Sequence, residues 1–258
     1  MRMARKAPST RFPNAIAVSY GRALKKQVRD LHRETLNVFD EQIKEDIKAL
    51  KRSDALEERV DGPLSSIISA VGIIKNVANA IYDVHISTNI AMKHIKLLDK
   101  MNLKNMEDQG RIKGVSPIDN NDKMADFLEA AVQENVSYIT DIKDSYMTNI
   151  ERVILQGAKK SSTIKGIRDE LVKQAGMTIR RAEFIAKDQT GTIFGQLTAE
   201  RHKNMGVEKF TWRTAGDERV RDSHESLNGE EFPYDDPPAV GLPGEDFSCR
   251  CQAEPVFD

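Results

Sequence analysis

The sequence predicts a mainly α protein: long antiparallel helices, followed by a small α+β module at the C-terminal end with few short strands. Three observations carry this. Apolar residues recur at steps of three and four over most of the chain, the spacing that lines one face of a helix. Aromatic residues make up only 6% of the chain, too few for an all-β sandwich. A single segment, Lys209–Phe210–Thr211–Trp212–Arg213–Thr214, alternates polar and aromatic side chains as a strand does.

The elements follow in order. Residues 1–13 hold Arg2, Arg5, Lys6 and Arg11 with no acid, broken by Pro8 and Pro13. They read as a basic extended arm that buries nothing, suited to a phosphate backbone or a neighbouring subunit, or as a frayed terminus. Residues 14–158 read as a long-helix body. Leu24, Val28, Leu31, Thr35, Phe39, Ile43, Ile47 and Leu50 draw one stripe along a helix of residues 14–53. Asp61–Gly62–Pro63 marks a turn and a new start, since proline suits the first helical position. The next stripe runs Leu64, Ile67, Ile68, Val71, Ile74, Val77, Ala78 and Ile81, and less cleanly through Ile90, Ile95 and Leu98. Two such helices joined by a short turn pack as a hairpin. Polar residues with Gly110, Gly114 and Pro117 predict a loop or hinge over 101–121. A third stripe from Met124 to Ile154 ends at Gly157.

Residues 160–258 read as a separate module with helices over 161–205, a strand over 208–214 and an irregular tail over 215–258. Ser161–Ser162–Thr163 caps a first short helix that turns Ile164, Ile167, Leu171 and Val172 inward and ends at Gly176; Thr178 caps a second. Turn signals then crowd the tail: Asn228–Gly229, Asp235–Asp236–Pro237–Pro238 and Gly241–Leu242–Pro243–Gly244. A segment of that length buries little alone, so it must pack on the helices or be tied by something else.

Composition excludes several classes. Two cysteines cannot build a secreted disulfide scaffold, and Cys-x-Cys closes too small a ring for an easy internal disulfide. No apolar run approaches eighteen residues, so no membrane span and no membrane partner are expected. The basic start is not followed by a signal-type apolar stretch, which predicts a protein kept inside the producing cell or carried in a particle assembled there. Net charge is −1, yet the segment from Ala215 to Asp258 holds twelve acids against three arginines, a net of −9, which leaves +8 on the rest. A basic body can face nucleic acid; an acidic tail avoids it.

The tail holds the chemistry. His224, Cys249 and Cys251 are zinc-type donors, and Asp222 or Asp217 can supply a fourth. The competing reading is two small buried residues on a strand edge beside a hydrogen-bonded histidine. A cysteine nucleophile would need a base and an oxyanion site, and His224 alone does not complete that set. No established nuclease spacing is present, and Gly241–Leu242–Pro243–Gly244 is a turn rather than a phosphate loop. Glu230 and Glu231 are adjacent, not spaced as a Glu-x-Glu transferase pair. The chain is therefore not expected to be an enzyme. Arg219, Arg221 and Arg250 are expected to pair with the acids around them, and Trp212 to lie in the core.

The order of residues in this tail resembles the C-terminal signature of the minor head proteins of tailed bacteriophages, also called head morphogenesis or Mu F-like proteins. The resemblance rests on Trp212–Arg213–Thr214, Asp217, Arg219–Val220–Arg221, His224, Leu227–Asn228–Gly229, a spacer with Pro237, Pro238, Pro243 and Gly244, then Cys249–Arg250–Cys251 and Pro255. The segment Arg181 to Thr190 is similar to the helix that precedes the signature, with Lys187–Asp188 where Arg-Thr is usual. The match covers residues 160–257. It implies a minor capsid protein of the virion at the portal vertex inside the head, present in the host cytoplasm during assembly, with no toxin domain expected after Asp258. Its implied partners are the portal protein, scaffold or major capsid protein, and packaged double-stranded DNA; its implied work is procapsid assembly and DNA packaging or ejection. A DNA-guiding internal head protein is the alternative. The shared recurrence of His224, Cys249 and Cys251 favours zinc as a cofactor.

Overall fold

The computed structural model describes residues 8–52, 62–117, 122–160 and 162–257. The helices are α1 (Asn14–Val38), a π-helical segment (Phe39–Ile43), α2 (Lys44–Arg52), α3 (Pro63–Ile81), α4 (Val84–Gly110), α5 (Asp122–Lys159), α6 (Ile164–Asn204) and the single turn α7 (Asp222–Glu225). Three strands, β1 (Lys209–Arg213), β2 (Glu231–Pro233) and β3 (Gln252–Val256), form one antiparallel sheet in the order β2–β1–β3. The mainly α class with a small C-terminal sheet is the class read from the sequence. The chain folds as two compact units that interleave along the sequence. One combines Met1–Gly21, Ile90–Asn135 and Phe184–Asp258; the other combines Arg22–Asn89 and Val136–Glu183.

The second unit is built from helix faces. Leu24, Val28, Leu31, Thr35, Phe39, Ile43 and Ile47 are buried, as the stripe requires. The helix is not uniform, however: the π turn absorbs one extra residue, so that Phe39 and Ile43 both reach the core. On α3, Ile67, Ala70, Val71, Ile74 and Ala78 are buried. Leu64 and Ile68, placed in the stripe by spacing, are exposed, and so is Val172 on α6. The second long helix is really two. The chain breaks at Tyr82–Asp83, and Asp83 Oδ1 accepts the backbone N–H of His85 (2.8 Å) to start α4. Apolar content is also higher than the run count suggested. Among the described residues, one helical stretch, Pro63–Gly110, is long and apolar enough by length and composition to cross a membrane, with an 18-residue window of mean hydropathy 1.5. Scattered Ser, Gly and Asn hide it from a search for unbroken runs.

Three further expectations are corrected. Gly176 does not end a helix: α6 runs 41 residues without a break. Thr178 instead returns its hydroxyl to the Gln174 carbonyl (3.0 Å), a bond made inside a helix. The cap that does form is Thr163, whose Oγ1 accepts the N–H of Gly166 (3.0 Å). The loop predicted from residue 101 starts only after Gly110, because Asn102 and Gln109 are buried polar residues of α4 and not solvent-facing ones.

That burial organises the first unit. Tyr20 donates to Asn135 (2.9 Å) and stacks on His94 with ring centroids 4.0 Å apart. Asn102 donates to Thr198 (2.7 Å), and Arg201, fully buried, donates to Asn102 (2.9 Å) and Asp99 (2.6 Å). His202 Nε2 donates to Gln109 Oε1 (2.9 Å), which leaves Nδ1 to accept the Tyr234 hydroxyl. Gln109 Nε2 in turn donates to Thr10 (2.9 Å) and to the Pro8 carbonyl (3.2 Å). So the described part of the arm is not loose. Thr10 and Pro13 are buried, and only Arg11 of the four basic residues is described there, exposed; Arg2, Arg5 and Lys6 lie outside the described residues. Apolar packing fills in around these pairs. Ile95, Leu98, Met124, Ile193, Phe194 and Leu197 form one cluster; Met106, Phe210, Trp212, Tyr234, Cys249 and Cys251 belong to another.

The tail lies against α6 through backbone. A Cβ on Gly195 would stand 2.2 Å from the Pro243 carbonyl oxygen, and one on Gly191 would stand 2.7 Å from that of Cys249. Gly195→Ala should therefore lower stability by about 1–3 kcal/mol. Gly176→Ala, on the same helix with open space around it, should raise it by about 0.5–1 kcal/mol. Melting temperatures that move the same way for both would contradict this contact. Burial also holds His94 and His202 neutral, with both pKa values lowered from 6.5 to about 3. The unfolded chain takes up these protons more readily than the folded one. Stability is then complete above pH 6.5 and falls on acidification toward pH 3, by up to about 1.4 kcal/mol per pH unit for each histidine. Thermal melts should show a decline that begins near about pH 6.5; a flat profile down to about pH 4 would refute the neutral buried pair.

Candidate metal centre

The strand β1 is the frame of the site. Its burial alternates, with Phe210 and Trp212 turned inward. β3 pairs along its full length, with Trp212 opposite Ala253 and Arg213 opposite Gln252. Arg213 then reaches diagonally to Glu254 (2.6 Å), a carboxylate only 9% exposed. Gly229 closes the return from α7: its φ is 92°, a region that favours glycine, and its N–H donates to the Trp212 carbonyl (2.8 Å).

His224 sits in α7, 2% exposed, with the edge of its ring system against Trp212 at 5.4 Å and 85°. Its Nε2 lies 3.0 Å from Asp246 Oδ2. A carboxylate can only accept, so Nε2 carries the proton and Nδ1 presents a lone pair. That lone pair lies 3.5 Å from Cys249 Sγ and 3.5 Å from Cys251 Sγ. Both cysteines are 3% exposed and neither is in a disulfide.

The Cys-x-Cys spacing now has a structural reason. Alternate residues of extended chain share a side, so both sulfurs meet His224 while Arg250 between them turns to Asp217. That pair is bidentate, at 2.8 and 2.5 Å. It holds the Asp217 carboxyl far below its ordinary range, with Arg219 (2.8 Å) as the second cause. Arg221 binds Asp246 (3.0 Å) and the Phe247 carbonyl (2.5 Å), which fixes the carboxylate that orients His224. Just before Cys249, Ser248 takes φ 52°, a strained conformation for a side chain. Its N–H is held by Asp188 on α6 (2.8 Å).

The two thiols are unequal. The hydrogen bond from Cys251 lowers the Cys249 thiol from 9.0 to about 6, helped by the N–H groups of Cys251 and Gly244. Cys251 moves up, because it is the donor in that bond and is desolvated. The indole N–H of Trp212 and the Ala215 N–H pull it back down. Trp212 Nε1 is buried and has no hydrogen bond of normal geometry.

His224, Cys249 and Cys251 are thus brought together, each buried, with donor atoms all within 4.8 Å of one another. Asp222 and Asp217 do not join them. Residues two apart on a helical turn point roughly 200° apart, so Asp222 is exposed while His224 is buried. Asp217 is committed to Arg250 and Arg219. Sequence reasoning missed Asp246, Asp188 and Glu254. Asp188 carried a signal, since it is one of the two residues at which the preceding helix departs from the resembled pattern.

Comparison with known proteins agrees with the tail signature. Residues 148–254 match the family described as Phage Mu protein F like protein. A curated relative, an uncharacterized protein of Haemophilus influenzae (strain ATCC 51907 / DSM 11121 / KW20 / Rd), is 32% identical over 185 residues. That alignment covers 71% of this chain, but the chain spans only 39% of the relative's length. No solved structure matches. The matched residues, which contain all of α6, strands β1 and β2 and the His–Cys–Cys cluster, are similar to the Phage Mu protein F-like family.

Proposed function

We propose that this chain is a head morphogenesis protein of a tailed phage, a minor capsid component bound at the portal vertex inside the head, where it assists procapsid assembly and DNA packaging or ejection. The observation that carries the reading is the family match over residues 148–254, which contains the spaced signature from Trp212 to Cys251. The family's context supports association with the virion and capsid-related partners: the portal protein first, then scaffold or major capsid protein. The role is structural rather than enzymatic in this reading.

The second unit supports an interface made by helices. Leu64 and Ile68, one turn apart on α3, are 38% and 55% exposed, and Ile73, Val84 and Ile86 are exposed as well. Apolar side chains left uncovered beside a buried stripe suit a helical partner surface.

The test is size exclusion with light scattering of the chain and its cognate portal protein, at low and high salt. Apolar contacts are not screened, so the complex should survive high salt. Ile68→Glu, at an exposed position, should keep the fold and weaken the complex by about tenfold or more. Loss of the complex at high salt, with DNA retarded at low salt instead, would replace this reading with a DNA-guiding one, because phosphate contacts weaken steeply with salt. Absence of any complex at either salt would also reject it.

A further inference from the structure

We infer that His224, Cys249 and Cys251 bind one zinc ion through Nδ1 and the two sulfurs, with a solvent molecule in the fourth position, and that this ion ties the tail to the sheet. The inference is independent of the head-assembly reading.

Geometry carries it first. Zinc takes thiolate sulfur at about 2.3 Å and imidazole nitrogen at about 2.0–2.1 Å in a tetrahedron, which sets the sulfur-to-nitrogen edge at about 3.6 Å. Both such edges here are 3.5 Å. A hydrogen bond explains one of them, but not both as equals, since each thiol has one proton and the Nδ1 lone pair can accept only one well-aligned partner. A cation bound between the three donors accounts for both.

The surroundings carry it second. The proton on Nε2, fixed by Asp246, leaves the correct nitrogen free for a metal, and a carboxylate behind a ligating histidine raises its basicity. Arg221 in turn holds Asp246. The Cys249 sulfur is met by the N–H of Cys251 at 3.4 Å. Such a donor suits a thiolate. Charge balance agrees. Each thiol releases its proton to solvent on binding, and Zn²⁺ with two thiolates and one neutral imidazole is uncharged overall, which suits a buried site. Two bare thiolates in this position would carry a charge of −2 beside the Asp246 carboxylate.

The ion would do what the tail needs. It would join α7 to the chain entering β3 at a point where Ser248 is held in a strained conformation. In a segment with so few regular elements, that single tie adds to the small core formed by Phe210, Trp212 and Tyr234.

The test uses the full chain, purified reduced and without chelator. Elemental analysis should give one zinc per chain, and exchange for Co²⁺ should give intense visible d–d bands with a thiolate charge-transfer band. Cys249→Ser and Cys251→Ser should each lose the metal and that band. Asp246→Asn should keep the fold and weaken zinc binding by about 10–100-fold in competition with a chromophoric chelator, whereas Asp222→Ala should change neither the affinity nor the spectrum. If the cysteine variants do not fold, the wild-type Co²⁺ spectrum and Asp246→Asn still decide. A folded chain that takes up no zinc on titration overturns the inference. So does a Co²⁺ spectrum without the thiolate band, an Asp246→Asn affinity equal to wild type, or loss of metal in Asp222→Ala.

Discussion

The register between α4 and α6 is set by polar side chains buried between them, and the rest of the first unit depends on it. Arg201 is fully buried, and Asp99 and Asn102 satisfy it. An unpaired buried guanidinium would cost several kcal/mol, so no slid arrangement of the two helices is tolerated. Apolar contacts alone would not give this exactness, because they have no direction. The relay from Tyr234 through His202 and Gln109 to Thr10 extends the same logic. It joins four stretches far apart in sequence, and each of them supplies a group that only the others satisfy.

Reading the sequence succeeded where periodicity is local and failed where polarity is buried. The stripe from Leu24 to Ile47 states its helix plainly, since each residue needs only its own spacing. Asn102 and Gln109 look like loop residues, because nothing near them reveals that Thr198 and His202 lie opposite. Gly176 and Thr178 look like an end and a start, yet neighbouring turns of α6 absorb one glycine and one back-bonded hydroxyl. The strands β2 and β3 were not legible: β2 is three residues long, and β3 contains Pro255 and Glu254, which strand patterns disfavour. Both exist because β1 presents two edges to be paired.

At the tail, the donor set was legible and its support was not. Two cysteines one residue apart and a single nearby histidine announce a shared purpose by type alone. Asp246 does not, since an acid among a dozen acids carries no signal until folding brings it to Nε2. The same holds for Asp217, whose part is to clamp Arg250 and so to aim both neighbouring sulfurs. The abundance of acid in this segment is therefore not only a solvated surface. Arg213, Arg219, Arg221 and Arg250 each meet a carboxylate, and those pairs give an irregular stretch the fixed directions that regular elements would otherwise supply.

The seat of the tail on α6 has one more consequence. Gly191 and Gly195 are four residues apart and so lie one above the other on a single helix face. At both, main chain of the tail meets main chain of the helix with no side chain between. A fit of that kind cannot be retuned by exchanging one hydrophobic residue for another. Mutational drift can remodel the tail's outer loops freely, but the docking groove admits no gradual variation. The module is portable only together with its glycine-notched helix.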